Sequence, residues 1–141
     1  MTVTTSVLAN DGGAPARIIN FEASEIMTAG TAMEITAAGK VAMAVTANIN
    51  PAGFLLTDTA NGDMASVITG SGIVLYVHLD GDASSNEIAV GDNLDIDASE
   101  GGALSKGNPD GGSVVAIALE ACSTTAAANL TAGALFKVLV V

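Results

Sequence analysis

The sequence predicts an all-β fold, a small β-barrel or β-sandwich of short antiparallel strands preceded by an extended N-terminal arm. Three observations carry this reading. Short apolar runs recur along the whole chain, each bounded by turn residues. Sixteen glycines, many in Asn-Gly, Asp-Gly and Gly-Gly pairs, supply the positive-φ positions that tight turns need. Half of the residues are apolar but only four are aromatic, so the core has to be thin layers of Ala, Val, Ile, Leu and Met. A chain of 141 residues buries roughly two thirds of its unfolded surface, which suits one domain.

Residues 1–16, rich in Thr, Ser, Asn and Gly and closed by Pro15, form the arm; residues 17–141 form the domain. The arm is expected to be mobile in the free protein, and to have either no partner or a partner sheet edge to which it adds a strand. In the second case Val3, Thr4, Val7 and Leu8 make the contact. Strands are predicted over 17–21, 32–36, 41–46, 53–57, 64–69, 73–79, 93–97, 114–121 and 135–141, with CSTTAAANL a loop or a short helix. Along 73–79, Ile73, Leu75, Val77 and Leu79 share one face, and Val74, Tyr76 and His78 the other. That mixed second face suits a subunit boundary, with Tyr76 and His78 as its contacts.

The stretch VGDNLDIDASEGGALSKG has an earlier counterpart in AGTAMEITAAGKVAMA. Setting Gly30 against Gly91 places Met33, Glu34 and Ile35 on Leu94, Asp95 and Ile96. Further on, GFLLTD resembles AIALEA, and NGDMASVI resembles AGALFKVL, in the same order. Either Ala- and Gly-rich strands agree by chance, or the chain is a pseudo-repeat with loops of differing length. A true repeat requires the two hairpins to superpose with Met33, Leu94, Ile35 and Ile96 all buried.

Fifteen acids against four bases give a formal net charge of -11, a field that repels phosphates and argues against nucleic-acid partners. Cys122 is alone, so no intrachain disulfide framework exists. No apolar run approaches the length that spans a bilayer, and the first residues lack the pattern of a secretory leader. The one histidine stands in mid-strand, where it reads as a packed or interfacial residue, and no serine lies in a nucleophile-elbow pattern. The acidic segments DGDASSNE and DNLDIDASE lack the glycine and glutamate spacing of a calcium loop and read as a solvated edge. GSG at 70–72 is too short for a phosphate loop. These readings name no catalytic residue, cofactor or metal site, and the chain is expected to be non-enzymatic.

The segments VGDNLDIDASEGGALSKG, VVAIALEACS and ALFKVLVV resemble the small capsid decoration, or cement, proteins of tailed bacterial and archaeal viruses. In that family a Gly-Asp hairpin, a Val-x-Gly-x-Ala-Leu-Glu-Ala strand and a terminal valine-rich strand recur; here alanine stands at 116 where glycine is usual. TAGTAMEITAAGKVAMA and GFLLTDTANGDMASV extend the resemblance to 18–141. The resemblance implies a compact β-barrel assembled as a homotrimer on the outside of the capsid, stapling neighbouring capsomers, with the major capsid protein as partner. It also implies location on the virion, with assembly in the host cytoplasm, and involves neither nucleic acid nor membrane. The competing reading is a small acidic β-sandwich that binds a ligand or carbohydrate, which would ordinarily display aromatic platforms.

Overall fold

The computed structural model describes residues 7–10, 16–46, 51–79, 88–96, 101–106, 114–121 and 135–141. They form strands and no helix: β1 (Leu8–Asn10), β2 (Arg17–Ala23), β3 (Ala32–Ala37), β4 (Lys40–Met43), β5 (Gly53–Leu55), β6 (Met64–Thr69), β7 (Val74–Val77), β8 (Asn93–Ile96), β9 (Leu104–Lys106), β10 (Ala116–Ala118) and β11 (Phe136–Val140). All nine predicted strands are present, most of them trimmed at the ends. Two more appear, β9, only three residues long, and β1, inside the arm. The segment CSTTAAANL lies outside the described residues.

Strands β2, β4, β3, β5 and β6 close into a barrel. Antiparallel pairing of β2 with β6 runs from Arg17 opposite Thr69 to Glu22 opposite Met64, and a short parallel contact of Ala23 with Val41 completes the ring. The other sheet has the order β1, β7, β11, β10, β8, β9. A single parallel bridge from Leu79 to Leu104 brings β9 back against the end of β7, so this sheet follows the same circuit.

Register matches a repeat in topology, although the burial required of a true repeat is met by three of its four residues and not by Ile35. Ile35 faces Val41 as Ile96 faces Leu104, and Leu55 faces Val67 as Ala118 faces Val138. Ile19 faces Val67 as Leu75 faces Val138, and the parallel closures Ala23–Val41 and Leu79–Leu104 coincide as well. Gly30 N–H donates to Leu55 O and Gly91 N–H to Ala118 O, each at 2.8 Å. Met33 and Leu94, Ile35 and Ile96, Leu55 and Ala118, and Val67 and Val138 therefore hold equivalent positions in two rings of one topology, whereas Gly39 falls on Gly102 and not on the neighbouring Gly101.

Burial departs from expectation at one place. Met33 and Leu94 are sealed and Ile96 is 3% exposed, but Ile35 is 62% exposed. In the second ring Ile96 packs in one cluster with Leu79, Leu104 and Ile88. The positions matching Leu79 and Leu104 in the first ring are the smaller Ala23 and Val41, so its rim offers Ile35 less cover.

The first barrel is filled by Ala23, Met27, Met33, Val41, Leu55, Ala65 and Val67. Its outer face contributes Ala32, Ala44, Phe54 and Ile68 to a larger cluster that also holds Leu75, Val77, Leu94, Phe136 and Val138 of the second ring. The two rings thus share a core. Part of the arm belongs to it too: β1 pairs with β7, Leu8 opposite Leu75, and Val7 is 3% exposed within the shared core. The expectation of an arm mobile over all of 1–16 is corrected for these residues, because burying Val7 and completing the β7 edge outweigh the entropy of a free chain.

Candidate functional site

Of the residues expected to touch a capsid, Val3 and Thr4 lie outside the described residues. Val7 is committed to the core and has no side-chain surface to offer, and Leu8 is half-buried against it. Of the pair expected at a subunit boundary, Tyr76 lies on β7 and His78 just beyond its end. Tyr76 is half-buried, opposite Lys137, whose ammonium sits 5.9 Å from the ring centroid. His78 lies at the boundary between the two rings of one chain: its N–H donates to Gly30 O at 2.9 Å and its carbonyl accepts from Leu104 N–H at 2.9 Å.

That seam is built from close backbone approach. Ala32 N–H donates to Gly102 O and Gly102 N–H to Ala44 O, both at 2.8 Å. Gly30 (φ 84°) and Gly102 (φ 75°) occupy the left-handed region. A Cβ at Gly30 would meet Leu135 Cδ2 at 2.9 Å, and one at Gly102 would meet Thr31 Cβ at 2.4 Å. Only glycine meets both demands at these two positions.

Chemically the described surface is quiet. No group of three or more His, Cys, Asp or Glu among the described residues could hold a metal ion. An open cleft of about 170 Å³ between the rings is lined by Pro51, Phe54, Ile68, Val114, Val115 and Val140 among others, and it carries no titratable side chain. The carboxyl of Asp92 is displaced: the Ala89 N–H bond, at 2.9 Å, and then the Lys106 ammonium, at 3.1 Å, hold it below the usual carboxylate range. This is a turn clamp at the start of β8. The remaining acidic residues of the two dense segments, Asp95 apart, lie outside the described residues. Phe54 and Phe136 are buried, Phe21 packs against the first core, and Tyr76 is half-covered, so no aromatic stands ready as a sugar platform.

What the sequence did not single out is β2. Residues 17–20 are exposed on both faces, with Ile18 at 52% and Ile19 at 45%. Met64, at the start of the neighbouring β6, is exposed as well. Lys40 pairs with Glu22, Lys106 with Asp92, and Lys137 covers Tyr76, whereas Arg17 at the head of β2 has no partner among the described carboxylates. The unbroken run RIINF was the available signal: a strand without alternation has no solvent face of its own.

No family model matches the sequence, and no curated protein matches it significantly. Solved structures share the fold, two of them from phage particles. One is the N base of the head fiber gp8.5 of bacteriophage phi29, at 18% identity and a TM-score of 0.63, over 90% of this chain and 95% of that one. The other is a chain of the capsid of Myoviridae phage XM1, at 15% identity and a TM-score of 0.54, over 99% of this chain and 93% of that one.

Proposed function

We propose that this chain is a structural protein of a tailed-virus head. In this reading it sits on the outside of the capsid as a homotrimer, with the major capsid protein as partner, and cements neighbouring capsomers. The observation that carries the reading is the shared fold: two proteins of phage heads follow this chain over nearly its whole length, both rings included. The surface supports it further. Among the described residues the cleft has no titratable side chain and the aromatics are buried or half-covered, which suits a cement better than a sugar-binding module. Many modest contacts repeated over a shell resist internal pressure through multivalency, and threefold closure lets one patch serve three equivalent sites.

The test is binding of the purified protein to expanded, undecorated heads of its virus, followed by gradient sedimentation, with native mass spectrometry for the oligomer. Co-migration with heads and a rise in their disruption temperature are expected. Protein left at the top of the gradient, together with its absence from purified virions, would overturn the assignment.

A further inference from the structure

The repeat makes a comparison possible within one molecule. Ile18, Ile19 and Asn20 of β2 stand where Val74, Leu75 and Tyr76 stand in β7, as their shared partners on β6 and β11 fix. On β7 the edge facing away from β11 is covered: β1 lies antiparallel along it, and Tyr76 N–H donates to Val7 O at 2.8 Å. On β2 the same edge is used only at its end, by Glu22 N–H to Gly39 O and Ser24 N–H to Val41 O. Strand alternation aims the N–H groups of Ile18 and Asn20 at that edge, and neither finds an acceptor among the described residues. The cost is visible in the side chains: Leu75 is fully buried, and its counterpart Ile19 is 45% exposed.

We infer that the free edge of β2 pairs with β2 of a second copy, antiparallel about a twofold axis at Ile19. Charge favours this occupant. Two chains of net charge -11 repel over most of their surfaces, but residues 16–21 and 64–69 carry one charge between them, the cation of Arg17. Geometry fixes the register. Since Glu22 already bonds to Gly39, only 17–21 is open, and the one arrangement that uses both free donors sets Ile18 opposite Asn20 of the copy. Four N–H···O bonds then form, Ile19 meets its own symmetry mate, and Arg17 lies across from the copy's Phe21 ring. Exposed strand edges are ordinarily blunted by charge or proline, and two isoleucines with a single terminal arginine do the reverse. The contact stands apart from any capsid binding and is read in the free protein.

The test uses Ile19→Cys in a Cys122→Ser background under mild oxidation. A disulfide-linked dimer is expected, formed several-fold faster than with Ile18→Cys, because only position 19 meets itself. Asn20→Pro removes an outward N–H without touching the β6 ladder, and should weaken self-association about tenfold or more while the circular dichroism spectrum holds. Ile18→Lys, which adds like charge on both sides of the axis, should do the same if the proline variant fails to fold. No cross-link through position 19, or cross-linking unaffected by both edge variants, would overturn the pairing; either result would leave head binding untouched.

Discussion

Ile35 and Ile96 hold the same position in two copies of one hairpin, opposite Val41 and Leu104, yet one side chain stands in solvent and the other in the core. The pair separates topology from energetics. Ile96→Ala should cost about 2–5 kcal/mol, the range for emptying a core site, whereas Ile35→Ala should stay within about 0.5 kcal/mol. Urea denaturation of the two variants checks this, and equal losses would refute the difference in cover.

Gly39 and Gly102 are also repeat mates, each with a positive φ, at 72° and 75°. Nothing lies within 4 Å of a Cβ at Gly39, while one at Gly102 would overlap Thr31. Gly39→Ala should therefore cost only the left-handed backbone term, about 1–2 kcal/mol. Gly102→Ala should cost clearly more, since the seam must open to admit the methyl group. Differential scanning calorimetry of the two variants ranks them.

Deleting residues 2–10 removes β1 and with it the cover on the β7 edge. The truncated protein should melt several degrees lower and bind more of a hydrophobic dye, because the Val7 contact is lost and Leu75 is uncovered. Val7→Ala alone should cost about 1–3 kcal/mol. Unchanged melting would mean that β1 is an ornament on the sheet.

Asp92 gives stability a pH dependence of known sign. Its carboxyl is held below its ordinary value of 3.8 by Ala89 N–H and Lys106, so the folded state favours the ionised form. The contribution is complete above the unfolded value and fades as pH falls through the lower folded one. Asp92→Asn should thus lower the urea midpoint at pH 7, and the gap from the natural protein should close below about pH 4. A gap that persists at low pH would assign the loss to packing.

Most of the architecture was legible because alternation and turn residues mark strands directly. The repeat could be traced because Gly30 and Gly91 anchor the same turn in both halves. Three things were hidden for physical reasons. β1 is the short stretch Leu8–Asn10 set in a segment rich in Thr, Ser, Asn and Gly, whose composition resembles a solvated tail, and only its partner 65 or so residues on shows that it is a strand. His78 reads as a packed or interfacial histidine, and no sequence pattern reveals that its backbone bonds to both rings of the chain. The exposure of Ile35 follows from the size of Ala23 and Val41, a difference in volume that hydrophobic patterning does not register.

The circuit of the strands bears on how fast the molecule forms. Ring closure in the first half waits until Thr69 can meet Arg17, in the second until Phe136 can meet Val77, and Leu8 has to wait for Leu75. Loops of this span must be closed before any contact compensates their lost entropy, which places folding in the millisecond-to-second range of barrel topologies. During that interval β1 is unpaired. Production of this protein at high level therefore favours low temperature and dilute refolding, because β1 and the apolar edge of β2 are both exposed to neighbouring chains until the second half arrives.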